Sequence, residues 1–267
     1  MRDTANIISH SPIIIGGFYR SGTTLLRRIL NAHSRIHCGP EVKFFPDLFG
    51  DYLDDDLAHV RFFSTVRSLG VTDQELVEIY GKAYIETHER VARRANKQRW
   101  ADKAPENVLY CAHWQRLLNG GFYFVHVVRH PLDALASLVE AGFARTIPKA
   151  FEKKVELYKT FLKAGLSIEE SHAENCIRLY YEQLVSEPVK VLRELLSRVN
   201  ESFEPSILDA YNDTAQTGIE DPKIRRASEI HQHSVGRWRR DLSSDQVKIA
   251  QNVLGELMHK IGYDTEQ

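Results

Sequence analysis

The stretch GGFYRSGTTLLRRIL, Gly16–Leu30, follows directly on the apolar run Pro12–Ile15. Ile13–Gly17 reads as a buried strand, a short apolar run that ends in glycine. Gly22–Asn31 reads as a helix, because Leu25, Leu26, Ile29 and Leu30 recur at helical spacing. A strand that turns straight into a helix leaves the first N–H groups of the helix unpaired. They point, with the positive end of the helix dipole, at whatever fills the turn. Gly22 lets the backbone come close, Thr23 and Thr24 add hydroxyl donors, and Arg20 adds a planar cation that can hold a phosphate in a fork. Gly17–Thr24 has the spacing of the phosphate loop GxxxxGK[ST], with Thr23 where that loop carries lysine. In a nucleotide kinase the lysine reaches the β- and γ-phosphates and the next hydroxyl holds Mg²⁺. The missing lysine, and the lack of an acidic Mg²⁺ partner at a strand end, weaken an ATP-dependent kinase.

Working outward, FYFVHVV (Phe122–Val128) is a second continuous apolar run, and RHPLDALASLVEAG follows it with Pro131 at a helix start and Gly142 at its end. Arg129 ends that strand and Ser137 lies two turns along, so the pair can grip a second phosphate at the sheet edge where ligands bind. CIRLYY (Cys176–Tyr181) is a third strand, followed by a helix from about Glu187 to Asn200. Strands that alternate with helices, and are apolar throughout, predict an α/β fold: a P-loop-like parallel sheet flanked by helices. Asp54–Leu69, Thr72–Ala95, Pro148–Ser171 and Ser243–Ile261 add helical segments by their three-and-four periodicity. Asp54–Asp56 reads as a helix N-terminus, where carboxylates offset the dipole. No repeat or Pro/Gly-rich linker divides residues 1–267, which read as a single domain.

Hydrophobic residues make up 43% and charged residues 27% of the 267, as in a globular protein with a real core. A formal net charge of −1 gives no global pull toward nucleic acid or a membrane surface. No apolar run approaches the roughly 18 residues of a membrane span, and MRDTANIISHSP holds no signal-peptide core. Cys38, Cys111 and Cys176 show no CxxC spacing and read as reduced thiols, so the expected compartment is the cytoplasm.

The two anion grips, together with YYEQLVSEP (Tyr180–Pro188), resemble the sulfotransferases that use 3′-phosphoadenosine 5′-phosphosulfate (PAPS). The resemblance is nearest to the tyrosylprotein sulfotransferases and runs through YRSGTTLLRRILNAHSRIHCGPE, WADKAPEN, YYEQLV, GRW (Gly236–Trp238) and IGYD (Ile261–Asp264). It implies the sulfotransferase fold, PAPS as donor with adenosine 3′,5′-bisphosphate as product, and no metal. It implies phosphosulfate contacts at Arg20, Ser21, Gly22, Thr23 and Thr24, and a 3′-phosphate site at Arg129 and Ser137. The family's catalytic base falls on Glu41 and its catalytic lysine on Lys103; Tyr181 and Arg237 are further cofactor candidates. A loop that serves no γ-phosphate has no need of the P-loop lysine. Three departures stand out: no membrane anchor is seen, the family's disulfide partner near Ala101 is an alanine, and its acidic pair is here Pro40–Glu41, followed by Val42–Lys43.

On this reading Glu41 takes the proton of an acceptor hydroxyl, which for a phenol has a pKa of about 10. Lys103, Arg20 and the helix N–H groups stabilise the charge that grows on the leaving oxygen. The acceptor is a small molecule or a peptide tyrosine, shaped by Lys43–Leu53 and Ala141–Lys153. HQH (His231–His233) lacks a third ligand and reads as a loop near the site mouth, and the basic stretch RRASEIHQHSVGRWRR as a cover over the cofactor. Two alternatives stand beside this: a P-loop nucleoside or small-molecule kinase, and a non-catalytic nucleotide-binding protein of the same fold.

Overall fold

A computed structural model describes residues 10–50, 57–141, 147–210, 230 and 232–263; side chains are described there except at 57–61 and 210. In chain order the elements are β1 (Ile13–Gly17), α1 (Thr23–Ala32), β2 (Ile36–Cys38), α2 (Phe44–Phe49), α3 (Leu57–Arg67), α4 (Asp73–Arg94), β3 (Arg99–Lys103) and a 3₁₀ turn (Pro105–Leu109). There follow α5 (Cys111–Leu117), β4 (Tyr123–Val128), α6 (Pro131–Ala141), α7 (Phe151–Ser171), β5 (Cys176–Tyr180), α8 (Tyr181–Ser186), α9 (Pro188–Arg198) and α10 (Ile207–Ala210). The last two are α11 (Trp238–Asp241) and α12 (Ser244–Lys260).

Among the described residues the strands form one five-stranded sheet in the order β2-β3-β1-β4-β5, every pair parallel. β1 is central: Ile15 pairs with Lys103 of β3 on one side and with Val125 of β4 on the other. The chain leaves β1 toward β2 and β3 and later crosses to β4 and β5. The loop after β1 therefore sits where the winding reverses, the place where open α/β sheets bind ligands.

Alternation along the strands splits the core in two. Ile14, Phe124 and Trp100 face α4, α5, α7 and α12, through Leu76, Trp114, Tyr158, Phe161, Leu254 and Met258. Ile13, Ile15, Val125, Val127 and Ile177 face α1, α8 and α9, through Leu26, Ile29, Leu30, Leu184 and Leu196. Both faces are covered, which is why β1 and β4 read as unbroken apolar runs. Thr72 and Ser243 start α4 and α12 with reciprocal capping boxes to Glu75 and Gln246.

The sheet has two strands that the sequence reading lacks. β2 is only three residues long, and β3, RWADK, carries three charged residues that are nevertheless buried. The expected helix over Asp54–Leu69 is present as Leu57–Arg67, while Asp54–Asp56, Gly142, part of the segments expected to shape the acceptor pocket, and Asp264 lie outside the described residues. Tyr181, expected at the end of the third strand, instead opens α8.

Candidate active site

The turn between β1 and α1 is set by close approach. A Cβ on Gly17 would lie 2.3 Å from the Val127 carbonyl oxygen, so only glycine lets β1 end against β4. Arg20 and Gly22 take left-handed backbone at φ 65° and 92°, and a Cβ on Gly22 would meet the Tyr181 ring at 2.4 Å. Gly22 starts α1 without a capping side chain, and no carboxylate lies in the first turn. The first N–H groups of α1 therefore remain available in the turn, with the positive end of its dipole.

The two anion grips read from the sequence are physically joined. Arg20 Nε donates to Ser137 Oγ at 3.0 Å, and Arg129 Nη1 donates to the Arg20 carbonyl at 2.7 Å. The Arg129 guanidinium lies over the Tyr181 ring at 4.5 Å, and its Nη2 donates to the Ser234 carbonyl. Arg129 is only 4% exposed, and that burial pulls its pKa below the usual guanidinium value. Two buried polar atoms here have no hydrogen-bond partner among the described residues, Ser21 Oγ and Arg129 Nε. Buried polar groups are rarely left unmatched, and these two belong to the loop before α1 and to the arginine bonded to that loop's Arg20 carbonyl. An anion with phosphate-like oxygens fits this donor set.

Glu41, Lys103 and Thr24 come from three separate elements and converge. Lys103, at the C-terminal end of β3, donates to Glu41 Oε2 and to Thr24 Oγ1, the latter at 3.2 Å. The Lys103 side chain is 2% exposed and that of Glu41, in the link after β2, is 22% exposed. The lysine thus bridges the phosphate loop to a carboxylate that opens outward.

Of the remaining sequence candidates, Tyr181 lies in the site, against Gly22 and Arg129. Thr23 is buried at the start of α1. The Arg237 guanidinium donates to Asp241 Oδ2 at 2.6 Å and to Glu140 Oε2. His233 is exposed, His231 lies outside the described residues, and among the described residues no three His, Cys, Asp or Glu side chains cluster as metal ligands. No helix among them is long and apolar enough to cross a membrane.

The model of the sulfotransferase family matches residues 12–205. The chain belongs to the sulfotransferase family. It is 25% identical over 272 residues to protein-tyrosine sulfotransferase 2 of Gallus gallus, covering 94% of this chain and 69% of that one. Its fold resembles the sulfotransferase domain of the Synechococcus PCC 7002 olefin synthase, with TM-score 0.63, 20% identity, and 91% and 95% of the two chains covered. A mouse sulfotransferase complexed with PAP also shares the fold, with TM-score 0.52, 15% identity, and coverage of 94% and 84%.

This sulfotransferase carries site residues that the sequence reading missed. Asp133, almost wholly buried, accepts the Gly236 N–H at 2.7 Å and the Trp238 N–H at 2.9 Å, docking the turn before α11 onto α6. Its local signal was an acid in the first turn of the apolar helix PLDALASLVEA, one turn before Ser137 and on the same face. Glu182 takes the His130 N–H at 2.9 Å and the Tyr263 hydroxyl at 2.5 Å. Asp102, beside Lys103, accepts from Tyr84 at 2.7 Å and from Asn107 at 2.8 Å. Burial pushes its carboxyl up, but these bonds and the neighbouring His88 outweigh burial and leave the pKa lowered. Glu106 accepts from Tyr19 at 2.7 Å and from Lys43 at 2.6 Å. Nothing in ADKAPE marked Glu106 as buried, because its partners come from distant segments.

Proposed function

We propose that this sulfotransferase transfers the sulfuryl group of PAPS to an acceptor hydroxyl by in-line displacement, with Glu41 as base. The observation that carries this reading is the convergence of Lys103 on both Glu41 and Thr24. It sets a cation between the phosphate loop and an outward-facing carboxylate, as a displacement that moves negative charge from one side to the other needs.

PAPS supplies an activated sulfuryl group when bound. Arg20, Ser21 Oγ and the N–H groups from Gly22 to Thr24 would hold its 5′ end, and Arg129 with Ser137 its 3′-phosphate. Tyr181 fixes the Arg129 plane from the other side. Arg237 would have to leave Glu140 and Asp241 to take part. Glu41 accepts the acceptor proton at a carboxylate oxygen, and Lys103 turns from Glu41 to the oxygen where charge develops. None of these roles asks for a metal.

We also assign the whole chain to one catalytic domain, since α12 packs on α7 and α6 against the same sheet. We place it in a reducing compartment such as the cytoplasm. Burial pushes the Cys38 and Cys176 thiols up to about 12 and the Cys111 thiol to about 11, and all three are free.

The test is calorimetric titration with adenosine 3′,5′-bisphosphate and, separately, ATP with Mg²⁺, followed by turnover with PAPS. The bisphosphate should bind, and Arg129→Ala should weaken it at least tenfold, about 1.4 kcal/mol. Glu41→Gln should keep that affinity and lose about 10²- to 10⁴-fold in kcat, the usual contribution of a general base. Binding of ATP–Mg²⁺ without the bisphosphate would turn the assignment to a kinase.

A further inference from the structure

Glu106 lies outside every role assigned so far, yet Lys43 links it to the base. It is 6% exposed, its Oε1 takes the Tyr19 hydroxyl and the Lys43 ammonium, and its Oε2 is buried with no hydrogen-bond partner among the described residues. Lys43 Nζ is 4.0 Å from Glu41 Oε1 and 5.4 Å from the centre of the Tyr19 ring. A lysine in that position, two residues from the base, is well placed to read an anionic group next to the acceptor hydroxyl. Here Glu106 holds it.

The charges around the base then decide what can approach. Glu41 and Glu106 are matched by Lys43 and Lys103. Once Lys103 turns to the leaving oxygen, Glu41, Glu106 and Lys43 remain and sum to one negative charge. An anionic acceptor meets like charge in a partly buried site, where repulsion is poorly screened. The side chains packed around Lys43 and Tyr19 are aromatic. Tyr19 packs on Phe161 at 5.2 Å, and Phe44, next to Lys43, stacks on Tyr84 at 4.4 Å with planes 5° apart. Burial, with the carboxylates of Glu106 and Glu41, pushes the Tyr19 phenol well above its ordinary value, so Tyr19 remains a donor and does not compete for Glu41.

We infer that the acceptor is a neutral aromatic alcohol, a phenol with no anionic group near its hydroxyl, and that Glu106 determines this specificity by occupying Lys43. The inference rests on the PAPS reading above. In the transfer the phenol oxygen bonds to sulfur as the bond from sulfur to the 5′-phosphate oxygen breaks, and the phenol proton passes to Glu41.

The test uses the full chain, PAPS, 2-naphthol, and two tyrosyl peptides that differ only in glutamate or glutamine beside the tyrosine. Wild type should sulfate 2-naphthol and should favour the glutamine peptide over the glutamate peptide by at least tenfold in kcat/KM. Glu106→Gln removes the charge that holds Lys43 and should shift that ratio about tenfold toward the glutamate peptide, through KM more than kcat. If Glu106→Gln does not fold, the wild-type ratio and Lys43→Gln decide. A wild-type preference for the glutamate peptide that Lys43→Gln abolishes overturns the inference, because Lys43 then reads the acceptor. Bisphosphate binding with no turnover of 2-naphthol or the glutamine peptide overturns it as well, while leaving the donor site intact. Failure of the bisphosphate to bind removes the donor reading itself, and the inference with it.

Discussion

Replacing Asp133 with alanine tests whether the turn before α11 is part of the donor site. The carboxylate holds the Gly236 and Trp238 N–H groups at 2.7 and 2.9 Å. Hydrogen bonds to a charged acceptor contribute about 1.5–3 kcal/mol each. Gly236 and Trp238 are half-exposed, so water can replace the carboxylate; the low end applies, and the pair contributes about 3 kcal/mol. Other ties survive the substitution: Arg129 still donates to the Ser234 carbonyl, and His130 still stacks on Trp238 at 5.9 Å. The turn should loosen while the sheet stays folded, a local rather than a global opening. A ligand that needs the docked turn loses affinity by the fraction no longer docked. The ceiling for 3 kcal/mol is about 150-fold; with half of it absorbed by the remaining ties, bisphosphate affinity falls roughly tenfold. Calorimetric titration reads the affinity, and hydrogen exchange at the Gly236 and Trp238 amides reads the docking. Asp133→Asn keeps one acceptor and should fall midway. If asparagine instead behaves like alanine, the negative charge beside Arg129 matters more than the bonds. The reasoning is refuted if Asp133→Ala speeds exchange at both amides yet binds the bisphosphate as wild type does.

Two other outcomes follow from the same geometry. Gly22→Ala puts a Cβ 2.4 Å from the Tyr181 ring at a left-handed φ of 92°, so it should cost about 1–3 kcal/mol in denaturant unfolding and weaken bisphosphate binding; an unchanged midpoint would sink the close-approach argument. Burial pulls His37 and His130 down to about 4, so between about 6.5 and 4 the unfolded chain takes up protons that the folded chain refuses. The stability they contribute is complete above about pH 6.5 and is lost as the pH falls toward 4. His130 sits among Asp133, Arg129 and Arg239, and His130→Phe should blunt the acid loss measured by denaturant midpoints; an identical pH profile in that variant would show that His130 is not its source.

The central fold was legible because β1 and β4 are covered on both faces and therefore written largely in apolar residues. β3 was hidden for the opposite reason. Arg99, Asp102 and Lys103 are buried charges whose partners, Glu201, Tyr84 and Glu41, come from segments far along the chain. A window of local composition sees the charges and not the partners. The phosphate loop was readable because its chemistry is local: turn, glycine, helix start. Asp133, Glu182 and Glu106 act through tertiary contacts that no spacing rule reports, and the same holds for the bond from Arg237 to Glu140, 97 residues away.

The parallel sheet also works as a caliper. Lys103 closes β3 and Arg129 follows β4, with β1 and its loop between them. Neighbouring strands stand about 4.8 Å apart, so the two jaws are set about 10 Å from each other at the backbone. That opening is held by ladder hydrogen bonds rather than by any side chain. Substitutions at the jaws can alter how hard they grip but leave the span as it is. On the donor reading proposed above, a ligand would be sized by the distance between its anionic ends, and a nucleotide charged at one end alone would close on a single jaw.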